Sequence, residues 1–125
     1  MTAFGRLPLA LVMAGAGVLH FAIPETYARI VPPSLPSPRG IVYASGAAEV
    51  ACGALLASRR TVRVGGWATA VLLLAVWPAN VYMAVEGGLG AVPAWVAWAR
   101  VPLQLPLIAW AVAVARQPRA LPPPA

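Results

Sequence analysis

The chain has 125 residues, of which 61% are hydrophobic and 10% are charged, against roughly 25% charged residues in an average soluble domain. Its charged residues are nine Arg and three Glu, and its mean hydropathy is +0.79, a balance that excludes an ordinary soluble domain. The net charge of +6 does not indicate nucleic-acid binding, because the Arg residues stand in short segments between apolar runs, where they act as signals of membrane topology.

Four apolar runs follow one another along the chain, and each is about as long as the roughly 20 residues that a transmembrane helix needs. They predict helices at residues 4–23, 40–58, 64–85 and 93–115. Gly and Ala occur in all four, which permits close packing between helices in a bilayer. The sequence therefore predicts an all-α membrane protein, with residues 1–115 forming a four-helix transmembrane bundle.

The segments between these runs differ in composition. The first linker contains five prolines, which break regular structure, and we expect only a short interfacial turn of helix at residues 25–31. The second linker is the basic turn SRRTVR, and the third is the glycine-rich segment EGGLGAV. Residues 116–125 form a basic, proline-rich tail, for which we predict disorder.

Arginine is distributed unevenly between the two sides of the predicted bundle. Two arginines fall in the loops on one side, Arg29 and Arg39. Six fall on the opposite side, namely Arg6, Arg59, Arg60, Arg63, Arg116 and Arg119. The positive-inside rule then predicts a multi-pass protein of the inner (plasma) membrane with both termini in the cytoplasm.

Five polar side chains lie within or near the predicted helices: His20, Glu49, Asn80, Arg100 and Gln104. An ionisable side chain inside a membrane is costly in free energy, and it therefore indicates a functional site. At about 1.5 Å per helical residue, all five lie in the outer half of the bundle or near its middle, although they come from four helices. We predict that they meet, and that Glu49 pairs with Arg100.

Two interpretations of this cluster are open. In the first, Glu49 and Arg100 form a structural ion pair that fixes how the second helix meets the fourth. In the second, they form the floor of an outward-facing pocket, where Glu49 or His20 would be the general acid or base and Arg100 would stabilise developing negative charge. The side chains expected to complete substrate binding are Asn80, Gln104, Trp77 and Tyr43.

The sequence contains no motif for a metal, nucleotide, flavin or haem. With a single cysteine, Cys52, the chain has no dithiol pair, and with one histidine it cannot supply two histidine ligands to a haem. A quinone is the cofactor or ligand that a lipophilic pocket of this kind would admit.

Several strings resemble the DoxX-like family of small bacterial membrane proteins. They are GVLHFAIPE, IVPPSLPSP, ASGAAEVACGALL, WPANVYMAV and RVPLQLPLIAW, and the resemblance as a whole covers about residue 5 to residue 115. The resemblance implies a four-helix transmembrane bundle whose matching polar positions are the five residues above. The family is functionally mixed: it takes its name from a subunit of an archaeal thiosulfate:quinone oxidoreductase, and other members are linked to oxidant-defence complexes in the envelope.

The sequence leads to two main hypotheses about function, and it leaves open whether the protein is an enzyme. The first is a membrane bundle that binds, and in an enzyme converts, a lipophilic small molecule such as a quinone or an isoprenoid. The second is a non-catalytic accessory subunit or assembly factor of an envelope oxidoreductase complex. The partners expected are the lipid bilayer, such a small molecule, and a membrane protein partner or a second copy of the chain. A small transporter is a third, weaker hypothesis.

Overall fold

The computed structural model describes residues 5–29, 31, 33–87 and 93–117, and the regular secondary structure in those ranges is all helical. The helices in chain order are α1 (Arg6–Ala22), α2 (Pro24–Ala28), α3 (Pro38–Ala57), α4 (Val62–Val85) and α5 (Ala94–Arg116). Three of them, α3, α4 and α5, are long and apolar enough to cross a membrane, and α1 is an apolar helix of 17 residues. The four longer helices begin and end within two residues of the predicted bounds.

Prolines and a short helix shape the first linker. The helix predicted at residues 25–31 is observed as α2, which begins at Pro24 directly after α1. Pro38 then opens α3, where its missing N–H removes no helical hydrogen bond. An ion pair between Glu25 and Arg39 joins α2 to the start of α3. The predicted tail is described only as far as Gln117.

The turn between α3 and α4 is held by side chains that bind the last carbonyls of α3. Arg6 donates from Nη1 to the carbonyl oxygens of Leu56 and Ala57, at 3.2 and 2.6 Å. Thr61 donates from Oγ1 to the carbonyl oxygen of Leu55 at 2.7 Å. These donors satisfy carbonyls that the end of a helix otherwise leaves without partners. They also bring the start of α1 to the same end of the bundle as this turn.

The longer helices pack as two antiparallel pairs, α1 with α3 and α4 with α5, and the pairs meet where α3 packs on α4. Glycine allows the closest approaches. A Cβ added to Gly17 would lie 2.7 Å from the carbonyl oxygen of Gly46, and one added to Gly66 would lie 2.7 Å from the Cβ of Ala115. By contrast, α1 has far fewer close approaches to α4 and α5 than to α3.

The buried apolar side chains form two separate clusters. The larger joins α1, α3, α4 and α5 toward the end of the bundle that holds the α3–α4 turn, and Leu9, Leu56, Leu73 and Val114 belong to it. The smaller joins α4 to α5 near the opposite end and contains Met83, Ala84 and Ala97. Along α4, Asn80 lies between residues of the two clusters, so the polar side chains interrupt the core.

Candidate functional site

A cavity of about 150 Å³ lies where α1 faces α4 and α5. Its polar lining consists of His20, Glu49, Asn80, Arg100 and Gln104. Its apolar lining consists of Leu9, Val12, Met13, Ala16, Leu73, Val76, Ala79 and Leu107. All five polar residues singled out in the sequence therefore meet at one cavity, and four different helices supply them.

The Glu49 carboxyl is buried, with 6% of the residue exposed, and the imidazole of His20 lies next to it. Glu49 Oε2 lies 3.2 Å from His20 Nδ1, which is also 2.7 Å from the carbonyl oxygen of Ala16. Because a carbonyl oxygen only accepts, the shorter contact requires that Nδ1 carries a hydrogen and donates it to Ala16. Glu49 Oε2 is then a buried acceptor without a hydrogen-bond partner among the residues that the structure describes.

The predicted Glu49–Arg100 ion pair is wrong in its geometry. Of the described residues, His20 lies within ion-pair distance of Glu49 without donating a hydrogen bond to it, Arg39 pairs with Glu25, and no ion pair joins Glu49 to Arg100. The reason is packing: α1 lies directly on α3 through Gly17 and Gly46, which brings His20 to Glu49, while the cavity separates α3 from α5. Arg100 instead lines the cavity, and its charge acts on the carboxyl across it.

Asn80 and Gln104 form a hydrogen-bonded link between α4 and α5. Gln104 donates from Nε2 to the carbonyl oxygen of Leu73 at 2.9 Å and accepts from Asn80 Nδ2 at 3.4 Å. Gln104 stands between Pro102 and Pro106, where α5 lacks two backbone donors. Both amides line the cavity, and the two hydrogen bonds of Gln104, to Leu73 and to Asn80, link α4 to α5.

Trp77 and Tyr43, both predicted to bind substrate, do not line the cavity. Trp77 donates from Nε1 to the carbonyl oxygen of Val101 at 2.9 Å, because its side chain points from α4 toward α5 rather than toward α1. The Tyr43 ring stacks on Phe21, with 5.5 Å between ring centroids, and 39% of the residue remains exposed. Each aromatic side chain therefore contacts a neighbouring helix, and its role in substrate binding stays a prediction.

The apolar lining was missed, although the sequence contained a signal for it. Met13 and Ala16 lie seven and four residues before His20, so they share its helical face. Val76 stands four residues before Asn80, and Leu107 stands three after Gln104, so each shares the helical face of that polar residue. Among the described residues, no three His, Cys, Asp or Glu side chains come together as a metal site would require.

Comparison with known proteins places the chain in a family. A family model described as a domain of unknown function, DUF8561, matches residues 9–115. The chain belongs to the DUF8561 family. No curated protein and no solved structure matches it significantly. The DUF8561 match contains every residue that lines the cavity, so the cavity lies within the region that defines the family. The resemblance to the DoxX-like family stays a prediction.

Proposed function

We propose that this protein is a ligand-binding membrane bundle, and that its cavity takes the polar head of a lipophilic small molecule of the quinone or isoprenoid class. The observation that carries the proposal is Glu49 Oε2, a buried acceptor to which no described residue donates a hydrogen bond, at a cavity lined by Arg100. A buried polar atom without a partner is rare in proteins, and a ligand donor is one physical explanation for it.

The polar groups of the cavity favour a head with a hydroxyl group and a second oxygen. A ligand hydroxyl would donate to Glu49 Oε2, and a carbonyl or phenolic oxygen would accept from the Arg100 guanidinium, which can only donate. A quinol ring carries oxygens on opposite sides and meets both requirements. A purely hydrocarbon ligand meets neither, because it offers no polar atom to Glu49 or to Arg100.

The size and opening of the cavity support a ring-sized head with its tail outside. A cavity of about 150 Å³ holds a molecule the size of benzene. Val12, near the middle of α1, lines the cavity and is 44% exposed, so it stands between the cavity and the outer surface of the bundle. A hydrocarbon tail would leave beside Val12 into the lipid, which solvates it.

If the site also converts its ligand, the same residues supply proton chemistry. Glu49 or His20 would exchange a proton with the ligand hydroxyl, and Arg100 would stabilise negative charge on the ligand oxygen. A redox step would also need a partner or a diffusible carrier, which accepts two electrons when a quinol is oxidised or donates two when a quinone is reduced.

The binding proposal is tested by titrating the purified protein, in mild detergent, with a short-chain benzoquinol. We expect Glu49→Gln to weaken quinol binding by about 10- to 100-fold, because a hydrogen bond to a charged group contributes about 1.5–3 kcal/mol. Tyr43→Phe is the matched control and should bind as wild type does, since Tyr43 lies outside the cavity. Equal quinol affinity in wild type and a folded Glu49→Gln variant would overturn the proposal.

A second candidate function is the non-catalytic accessory subunit, which the Asn80–Gln104 link favours. Two of the five polar side chains bond each other and the Leu73 carbonyl, as purely structural residues would. On this hypothesis wild type and Glu49→Gln should both lack quinol binding, and a membrane protein partner should co-purify with each in mild detergent.

For the membrane topology, we infer that α1 is a fourth span and that both termini face the cytoplasm of the inner (plasma) membrane. Alpha1 is apolar, packs along α3, and at 17 residues reaches the lower limit of a spanning helix. Five arginines lie at the end of the bundle that holds the α3–α4 turn, namely Arg6, Arg59, Arg60, Arg63 and Arg116. The positive-inside rule favours the cytoplasmic side for that end.

A further inference from the structure

We propose that the groove between α3 and α4 is a binding site for an anionic phospholipid, with an acyl chain along the groove and the phosphate at the arginines of the α3–α4 turn. The groove has a volume of about 650 Å³, and the side chains that line it are all apolar. It shares no lining residue with the polar cavity, so this inference does not depend on the proposed function.

The groove has the shape that a hydrocarbon chain requires. Ala48, Ala51 and Leu55 form its α3 side. Val64, Trp67 and Val71 form its α4 side. The α4 residues from 64 to 71 cover about 10 Å along the helix, and all three keep large exposed fractions. The small alanines of α3 and the larger apolar side chains of α4 leave a groove between them, which is open on the outer surface of the bundle.

The groove leads to a basic turn. Of its lining residues, Leu55 lies near the end of α3 and Val64 near the start of α4, on either side of the turn at residues 58–61. Arg59 and Arg60 belong to that turn, outside both helices. Arg63 is on α4, four residues before Trp67, so it shares the helical face of Trp67. Three arginines therefore lie at the turn end of the groove.

These three arginines are available to a ligand. Arg59, Arg60 and Arg63 are all exposed, and within the described ranges none of their guanidinium groups forms an ion pair or a hydrogen bond. Guanidinium groups bind phosphate oxygens in paired hydrogen bonds, and a basic cluster at a membrane surface attracts anionic lipid. Trp67, 46% exposed, stands one turn farther along, at the depth where an indole meets lipid headgroups.

An anionic phospholipid fits this surface better than a second copy of the chain does. Two copies inserted in the same orientation and packed through this groove would bring six arginines together at one end, and like charges repel. A free phosphate ion would match the arginines but leave the apolar groove unfilled. A phospholipid such as phosphatidylglycerol matches both parts with one molecule.

Native mass spectrometry of the full chain in mild detergent tests the inference, with phosphatidylglycerol and phosphatidylcholine of identical acyl chains as probes. We expect one phosphatidylglycerol to bind wild type, at least about tenfold tighter than phosphatidylcholine. The double variant Arg60→Gln/Arg63→Gln should lose about 30-fold in phosphatidylglycerol affinity, since each arginine near a membrane surface contributes about 1 kcal/mol. Ala51→Phe should weaken binding of both lipids, because its ring would occupy the groove.

Arg116→Gln is the matched control, because Arg116 is exposed at the same end of the bundle but lies on α5, outside the groove. It should bind phosphatidylglycerol as wild type does. A loss equal to that of the double variant would overturn the site, because it would indicate only diffuse attraction to positive charge. Equal binding of the two lipids by wild type would overturn it as well. A dimer that Ala51→Phe disrupts, without bound lipid, would show that a second copy occupies the groove instead.

Discussion

Gln104 contacts α4 with both ends of its amide. Its Nε2 donates over 2.9 Å to the Leu73 carbonyl, while its Oε1 accepts over 3.4 Å from Asn80. The second distance is long for a hydrogen bond, so most of the link between the helices comes from the first. The side chain is buried, and its bonds therefore have little competition from water.

We predict that Gln104→Leu lowers the free energy of unfolding in detergent by about 1–2 kcal/mol, and that Asn80→Leu lowers it by less. Gln104→Leu removes two hydrogen bonds, whereas Asn80→Leu removes the longer one alone. A double-mutant cycle between the two positions should give a coupling of about 0.6 kcal/mol, measured by denaturant titration. A greater loss in Asn80→Leu than in Gln104→Leu would contradict this assignment of the bonds.

At the scale of helices, α1 reaches α3 closely because glycine faces glycine. A Cβ on Gly46 would lie 2.7 Å from the Cβ of His20, and one on Gly17 would lie 2.7 Å from a methyl group of Val50. The separation between α1 and α3 is therefore set by these two glycines, which have no side chains to hold the backbones apart. That separation also fixes the distance from His20 to Glu49, so packing and the polar site depend on the same contact.

Gly46→Ala should destabilise the bundle by about 1–3 kcal/mol, because the added methyl group overpacks the contact. It should also weaken benzoquinol binding, since the displaced His20 lines the cavity. Gly15→Ala is the control: no atom lies within 4 Å of its added Cβ, and alanine in a helix interior is favoured over glycine by about 0.5–1 kcal/mol. Thermal unfolding of both variants in the same detergent measures the contrast, and similar losses in the two would exclude close packing as the cause.

The sequence predicted the long helices better than the contacts between them. Hydropathy marks a span by its length, so the bounds of α3, α4 and α5 lie close to those predicted. The meeting of five polar residues was predictable from depth, because depth follows from position along each helix. Which of these side chains touch depends on how each helix is rotated about its axis and on which helices are neighbours. Both are decided by the close contacts at glycine. The sequence therefore suggested Arg100 as the partner of Glu49, where the structure has His20.

For the whole molecule, the two ends differ in their arginine content: among the described residues, five arginines lie at the end with the α3–α4 turn, and two, Arg29 and Arg39, lie at the other. The end with the α3–α4 turn holds Arg59 and Arg60, both exposed, whereas the other end holds the proline-rich linker, in which Ser34 is exposed. If the basic end faces the cytoplasm, a reagent that cannot cross the membrane will reach only the linker from outside.

This orientation is tested by labelling single cysteines on intact cells with a membrane-impermeant maleimide. In a Cys52→Ala background, Ser34→Cys should be labelled directly, whereas Ser58→Cys should react only after the cells are permeabilised. Both serines are exposed, so burial does not bias the comparison. The reverse pattern would invert the proposed orientation, and labelling of both sites from outside would contradict four spans.

The two antiparallel pairs have a consequence for biogenesis. Each pair is a helical hairpin with its own close packing. The cavity lies at the interface between the hairpins, where α1 faces α4 and α5. The cavity is therefore completed only when the two hairpins associate, late in assembly. A molecule bound there would contact both hairpins, and at 100 times its dissociation constant it would favour the associated form by about 2.7 kcal/mol. The ligand would thus act as a template for maturation, and its supply would set how much of the newly inserted chain reaches the finished bundle.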